Sequence, residues 1–86
     1  MNSRSEDALS VRFGSRWSDV PGLLDYRADD GHLSVVLDYA TLRASRKDMS
    51  VARAGWCVAG REYVTTMVSV MPGDGTVRVS ARERAL

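Results

Sequence analysis

Residues 63–84 read YVTTMVSVMPGDGTVRVSARER, and this stretch decides the fold. Apolar and polar residues alternate on both sides of a turn at residues 72–75. Alternation with period 2, rich in β-branched residues and interrupted by such a turn, predicts a β-hairpin. Val70 can pair with either Val77 or Val79. The two registers differ by two residues, which is the side-chain period of a strand, so both keep the same side chains on one face.

The predicted hairpin has one apolar face and one mixed face. We expect the apolar face to line the core, and its residues are Val64, Val68, Val70, Val77, Val79 and Ala81. We expect the mixed face to meet solvent and to form the candidate binding surface, whose residues are Tyr63, Met67, Met71, Arg78, Arg82 and Arg84. Aromatic, methionine and arginine side chains together suit either a protein interface or a nucleic acid.

The N-terminal part of the chain contains a further alternating segment and a loop. Apolar residues alternate with polar ones over residues 9–13, which predicts a first strand. Trp17 and Val20 come next and are followed by a Pro-Gly pair at residues 21–22. Proline and glycine in succession favour a turn, so we expect Trp17 and Val20 to lie in a loop folded over one end of the core.

A second hairpin is predicted around the Asp-Gly pair at residues 30–31. Asp-Gly between two alternating runs is one of the strongest short-range hairpin signals. A turn centred on this pair places Tyr26 opposite Val35. The same register places Leu24 opposite Leu37, so that both strands direct their apolar side chains to one side.

Residues 46–54 predict a short helix. Ser45 is a favoured N-cap residue type, and Asp48, three positions later, completes a variant of the capping box. Gly55 is placed to end the helix. The alternative is a long strand or a loop, because only two turns are available and short helices are marginal without tertiary support.

The remaining apolar residues, 56–58, either begin the fourth strand, bent at Gly60, or form a connection packed on the core. The sequence therefore predicts a mainly β (α+β) fold. It is a small five-stranded antiparallel barrel or sheet, OB-like or SH3-like, with one short helix between strands 3 and 4. Residues 1–7 are expected to form a flexible tail, and residues 8–86 a single domain.

Charge and cysteine content restrict the classes of partner. Twelve basic and eleven acidic residues leave a formal net charge of +1, which draws the whole molecule neither to nucleic acid nor to an anionic membrane. Cys57 is the sole cysteine, so an internal disulfide and a cysteine-based zinc cluster are excluded.

No segment approaches the ~20 apolar residues of a membrane span, and residues 1–10 lack the apolar region of a signal peptide. We therefore expect a cytoplasmic protein without a membrane partner.

The sequence contains no catalytic constellation. His32 is the only histidine, and Cys57 lies between apolar neighbours, where a buried thiol is unreactive. A Cys–His pair requires these two residues to meet, and the patterning does not bring them together. We therefore expect no enzymatic activity, no cofactor and no metal site.

Two separated segments resemble the sequence pattern of PilZ domains, which bind cyclic di-GMP. Residues 12–16 read RFGSR and provide two spaced arginines, and residues 48–50 read DMS, an Asp-x-Ser segment. Arg53 stands where the pattern has glycine, and the Asp-x-Ser segment lies within the predicted helix. Because of these departures, the sequence is not assigned to the family.

The function predicted from the sequence is binding. Our first hypothesis is a small regulatory module that contacts a protein partner, or a second copy of itself, through the mixed face or the edge strand beside it. The alternative is an OB-like protein that binds single-stranded nucleic acid, with arginines on phosphates and Tyr63 or Trp17 stacked on bases. The interspersed acidic residues oppose this alternative unless folding separates them from the basic ones.

Overall fold

The computed structural model describes residues 8–84 and shows a mainly β domain with one short α-helix. The expected flexible tail, residues 1–7, lies outside the described residues. The strands are β1 (Ser10–Arg12), β2 (Trp17–Asp19), β3 (Leu23–Asp29), β4 (His32–Asp38), β5 (Gly55–Val58), β6 (Arg61–Met71) and β7 (Thr76–Glu83). The helix α1 (Tyr39–Ala44) follows β4, and one turn of 3₁₀ helix (Val51–Arg53) precedes β5.

All seven strands belong to one antiparallel sheet with the order β2-β1-β5-β6-β7-β4-β3. The edge strands β2 and β3 are consecutive in the chain and are joined by residues 20–22 alone. Because four Cα–Cα steps of about 3.8 Å span at most about 15 Å, the sheet must curl until its two edges approach each other.

The curled sheet is open, since no pairing joins β2 to β3 within residues 8–84. The predicted mainly β fold with one short helix is confirmed. The number of strands is seven rather than five. The two additional strands are β2, which contains Trp17 where a loop was predicted, and β5, which is separated from β6 by a tight turn at residues 59–60.

The hairpin of β3 and β4 has the predicted turn. Asp30 has a φ of 51° and Gly31 a φ of 80°, the left-handed conformations that a two-residue turn of this kind requires. Tyr26 pairs with Val35, as the sequence predicts.

A β-bulge changes the far end of this hairpin. The register shifts between Leu23 and Asp25, so that Leu37 pairs with Leu23 and not with Leu24. Leu24 is consequently 56% exposed, and the predicted pairing of Leu24 with Leu37 is wrong. The extra residue of a bulge reverses which side chains face the core beyond it.

The hairpin of β6 and β7 is confirmed, and Val70 pairs with Val77. Val70 is nevertheless 52% exposed near the end of β6, so the prediction that it lines the core is wrong. A second β-bulge interrupts β6 between Thr65 and Met67, where Thr66 is the extra residue. The hydroxyl of Thr66 donates a hydrogen bond to the backbone oxygen of a β7 residue at 3.2 Å. Strict alternation therefore holds on each side of the bulge but not across it.

The bulge exchanges the positions of Tyr63 and Val64. Tyr63 is 4% exposed and belongs to the core, whereas Val64 is 47% exposed on the opposite face. The predicted place of Tyr63 on the solvent face, and of Val64 in the core, is therefore wrong. The cause is the single residue that β6 gains relative to β7.

The predicted helix at residues 46–54 is wrong in position, because α1 begins earlier. The Asp38 carboxylate caps it: Oδ2 accepts hydrogen bonds from Thr41 Oγ1 at 2.7 Å and from the Thr41 backbone N–H at 3.0 Å. The hydroxyl bond first, and the backbone bond second, stabilise the ionised carboxylate and lower the pKa of Asp38.

The polar residues that predict the start of a helix instead form the end of α1. Arg46 has a φ of 61°, and its N–H donates to the Arg43 oxygen at 2.9 Å. The Lys47 N–H donates to the Leu42 oxygen at 3.1 Å. These two bonds form a Schellman motif with arginine in the position that glycine usually takes.

The core lies between the inner face of the sheet, α1 and the 3₁₀ turn. Its buried apolar residues are Leu9, Val11, Leu33, Val35, Leu37, Leu42, Val51, Ala54, Trp56, Val58, Tyr63, Val77, Val79 and Ala81. Across the described part of the chain, no helix has the length and apolar character needed to cross a membrane.

Candidate functional site

A row of residues, one from each of six neighbouring strands, crosses the outer face of the sheet, which points away from the core. This outer row consists of Trp17, Arg12, Gly55, Val64, Arg82 and His32, each directly opposite the next. Directly opposite residues share a face of the sheet. The neighbouring row, with Val11, Trp56 and Tyr63, is buried in the core, so the outer row must point outward.

Arg12 is positioned by an aromatic ring and by a missing side chain. Its guanidinium carbon lies 4.9 Å from the centre of the Trp17 ring, within the range of a cation–π interaction. A Cβ atom at Gly55 would lie 3.6 Å from both Nε and Nη2 of Arg12. That distance is an ordinary contact, so the guanidinium group lies across β5 where a side chain longer than that of alanine would meet it.

Residues 47–54, here called the cleft loop, are fixed to β6 by Thr65. The Thr65 hydroxyl accepts a hydrogen bond from Trp56 Nε1 at 2.8 Å. Its oxygen lies 3.1 Å from the backbone oxygens of both Val51 and Ala54, the acceptors of its single proton. The Thr65 N–H also donates to the Ala54 oxygen at 3.3 Å. The bulge that turns Thr65 inward thus also positions the cleft loop.

The cleft loop and the outer row enclose an open cleft of 690 Å³, here called the basic cleft. Its lining residues are Arg12, Phe13, Gly14, Lys47, Met49, Ser50, Arg53, Ala54, Gly55 and Val64. Arg12, Lys47 and Arg53 carry positive charge, and no Asp or Glu of residues 8–84 belongs to the lining. Phe13 and Val64 contribute apolar walls.

A smaller cleft of 310 Å³ adjoins the basic cleft and is lined by Phe13, Ser15, Arg16, Ser18 and Lys47. Lys47 Nζ lies 5.3 Å from the centre of the Phe13 ring, so this pair stands between the two clefts. Arg16 adds a fourth positive charge to the region. Clefts lined by one sign of charge concentrate ligands of the opposite sign.

The ion pairs of the described residues lie outside this region. Arg61 pairs with Glu83 at 3.2 Å and Arg84 with Glu62 at 3.6 Å. Both pairs are exposed and add little to stability. Neither pair uses a cation of the basic cleft, so these cations are available to an anionic ligand.

Most of the residues predicted to form a binding surface are exposed on the outer face. They are Met67, Met71, Arg78 and Arg82. Tyr63 is buried, as described above, and Val64 takes its place on the outer face. Arg84 is exposed but pairs with Glu62. The structure therefore keeps a methionine and arginine surface but removes its predicted aromatic residue.

The two segments that resemble the PilZ pattern meet at the basic cleft. Arg12 of the first segment and Ser50 of the second line it, and Arg16 lines the adjoining cleft. Asp48 is not among the lining residues of either cleft. The Asp-x-Ser segment forms turns and not the predicted helix. Arg53, which replaces the glycine of the pattern, is the third cation of the basic cleft.

Sequence reasoning did not identify Phe13, Lys47 and Arg53 as site residues. The prediction of a helix at residues 46–54 hid Lys47 and Arg53, because a helix would distribute them over a solvated surface. The spaced arginines of residues 12–16, together with the later Asp-x-Ser segment, were the available signal. These two segments do not include Lys47 or Arg53, so they could not show that the loop places these cations beside Arg12.

The described residues contain no group of three or more His, Cys, Asp or Glu side chains placed to hold a metal ion. His32 Nδ1 lies 3.3 Å from the Asp30 backbone oxygen, within the turn. Cys57 is half-buried on β5, opposite Ser10 and Glu62. Strands β6 and β7 lie between β5 and β4 in the sheet, so His32 and Cys57 are not brought together.

No protein family model matches the chain, and neither a curated protein nor a solved structure matches it. The choice of function therefore depends on the geometry and charge of the basic cleft and of the outer face.

Proposed function

We propose that the protein is a small non-enzymatic binding module that holds a phosphate-bearing ligand in the basic cleft. The observation that carries the proposal is the cleft lining, in which Arg12, Lys47 and Arg53 are present and to which residues 8–84 contribute no carboxylate. The cleft volume of 690 Å³ falls within the range of about 300–1,000 Å³ that small-molecule sites occupy.

Each lining residue has a role that follows from its chemistry. The planar guanidinium groups of Arg12 and Arg53 match the oxygens of a phosphate, whereas Lys47 contributes a compact charge. Ser50 offers a hydroxyl group that donates to an anionic oxygen. Phe13 provides an apolar surface for the non-phosphate part of the ligand.

The first ligands to test follow from the charge and from the resemblance to the PilZ pattern. Pyrophosphate tests the charge of the cleft alone, and cyclic di-GMP tests a ligand that joins phosphates to purine rings. Isothermal titration calorimetry at low salt measures both, because screening weakens exposed charge pairs as the ionic strength rises. We expect saturable binding with one site per chain.

Variants at the cleft identify where the ligand binds. Arg53→Gln and Lys47→Gln each remove a charge-assisted interaction, and the affinity is expected to fall roughly 10- to 100-fold. Arg43→Gln is the matched control, because Arg43 is an exposed cation on α1 outside the cleft lining. Absence of binding by any phosphate compound at low salt, or equal affinities for Arg53→Gln and Arg43→Gln, would refute the proposal.

A second candidate function is contact with a protein partner or with a second copy of the chain. Met67 is 60% exposed on the outer face beside the row that contains Val64, which is 47% exposed. Methionine and aliphatic side chains in an exposed group are typical of interfaces. Sedimentation equilibrium should then show a concentration-dependent mass that Met67→Asp reduces to that of the monomer. A monomer at all concentrations, with no partner recovered, removes this candidate.

A further inference from the structure

The outer row continues the basic cleft across the sheet. Gly55 and Val64 belong both to the cleft lining and to the row. Beyond Val64 the row reaches Arg82 on β7 and then His32 on β4. Neighbouring strands are separated by about 4.8 Å, so the three strand spacings from Arg12 to Arg82 cover about 14 Å.

Most carboxylates of the outer face lie outside the part of the row between Arg12 and Arg82. Asp19 and Asp25 lie on the edge strands β2 and β3, and Asp29 ends the row on the edge beyond His32. Asp38 lies on β4 opposite Thr76, where it caps α1. Glu62 lies on the central strand β6, but it pairs with Arg84. Among the described residues, folding therefore moves most acidic residues of this face toward its periphery, although they are mixed with the basic ones in the sequence.

An aromatic side chain lies at the other end of the row. Trp17 is 40% exposed, and one face of its ring carries the Arg12 guanidinium at 4.9 Å. An exposed aromatic ring can stack with a nucleobase, and here the base would replace the planar guanidinium group as the partner of the Trp17 ring. This supplies the stacking residue that the burial of Tyr63 removes from the hairpin.

We infer that the outer row and the basic cleft together form a track for single-stranded nucleic acid. The inference rests on the proposed function, because the cleft holds one phosphate group of the strand. Arg82 binds a second phosphate farther along, and Trp17 stacks on a base. Charge complementarity favours a polyanion, and the exposed tryptophan favours one with bases over an acidic peptide.

The test compares ligands of different length on the full chain. Fluorescence anisotropy measures a labelled oligothymidylate of about 12 nucleotides, within the ~4–16 nucleotides that small single-strand-binding domains cover. Unlabelled pyrophosphate, cyclic di-GMP and a polyglutamate peptide compete. We expect the oligonucleotide to bind at least tenfold more tightly than each competitor, with an affinity that falls steeply as salt rises.

Variants outside the basic cleft separate the inference from the proposed function. Arg82→Gln should lower the ratio of oligonucleotide to pyrophosphate affinity roughly tenfold and reduce the salt slope by about one. Trp17→Ala should weaken oligonucleotide binding, and Trp17→Phe should restore most of it, because the loss concerns stacking. Arg43→Gln is the control, and circular dichroism confirms that each variant is folded.

The outcomes are distinguishable. Oligonucleotide affinity no greater than that of pyrophosphate, an unchanged ratio in Arg82→Gln, or equal binding of polyglutamate overturns the track while the cleft remains a phosphate site. If no phosphate ligand binds and Arg53→Gln has no effect, the proposed function fails as well.

Discussion

Trp56 Nε1 donates a hydrogen bond to Thr65 Oγ1 at 2.8 Å, and this bond connects the core to the basic cleft. Trp56 is fully buried, and its indole N–H has no access to water. The Thr65 hydroxyl in turn lies 3.1 Å from the Val51 and Ala54 backbone oxygens. One hydroxyl group thus satisfies a core donor and holds the loop that carries two cations of the cleft.

Replacing this hydroxyl with a methyl group should destabilise the protein. Thr65→Val keeps the shape of the side chain but leaves the Trp56 N–H without its acceptor, so the free energy of unfolding should fall by about 1–3 kcal/mol. Urea denaturation measures it. Thr66→Val is the control, because it also removes a hydroxyl group, but one whose hydrogen bond to the Ser80 oxygen is exposed to solvent, and Thr65→Ser should keep most of the stability. A Thr65→Val protein as stable as Thr66→Val would contradict this role.

Filling the space above β5 should impair ligand binding more than it impairs folding. A Cβ at Gly55 makes ordinary contacts of 3.6 Å with Arg12, so Gly55→Ala should bind pyrophosphate nearly as well as the wild type. The larger side chain in Gly55→Leu should displace the Arg12 guanidinium and reduce affinity roughly tenfold or more. Calorimetry gives the affinities and thermal unfolding the stabilities. Equal affinities for the two variants would show that Arg12 does not bind the ligand.

The Asp38 cap makes stability depend on pH in the acidic range. Its hydrogen bonds to Thr41 lower the pKa of Asp38 below the ordinary value of 3.8, so the folded state binds fewer protons than the unfolded state. This stabilisation is complete above pH values near 3.8 and is lost as the pH falls through the lower, folded-state pKa.

Asp38→Asn tests this dependence, because asparagine accepts the same hydrogen bonds without a titrating charge. The difference in melting temperature between Asp38→Asn and the wild type should be larger at neutral pH than at a pH below the lowered folded-state pKa of Asp38, where both caps are neutral. Asp74→Asn, in the exposed hairpin turn, is the control. A difference that does not change with pH would exclude the ionised cap as its source.

The hairpins were predictable from the sequence because their signals are local. Alternation and turn residues act over a few positions, and the pairs Tyr26–Val35 and Val70–Val77 follow from them. The bulges were not predictable in this way, because each run alternates on both sides of its extra residue. At Tyr63–Val64, both residues are apolar and fit either face, so the sequence contains no local preference that reveals the change of parity.

The basic cleft was harder to predict than the strands because long-range contacts assemble it. Arg12 and Arg53 are far apart in sequence, and the cleft loop is positioned by hydrogen bonds from Thr65. At Ser45, the residues that resemble an N-cap follow a helix instead of preceding one. Polar residues occur at both ends of helices. Whether such a cluster marks the start or the end of a helix therefore depends on where the neighbouring strand ends.

The bulge at Thr66 offers the sharpest test of how the face assignments arise. Deleting Thr66 joins Thr65 directly to Met67, and because these two residues already oppose the adjacent Ala81 and Ser80, Tyr63 should stay inward and Val64 outward. The deletion should therefore cost little unfolding free energy, whereas Tyr63→Ala, which removes a buried aromatic side chain, should cost roughly 3–5 kcal/mol. Thr66→Ala keeps the number of residues and should also lose little. Urea denaturation compares the three variants, and a deletion variant that loses as much stability as Tyr63→Ala would mean that the bulge itself is needed to keep Tyr63 in the core.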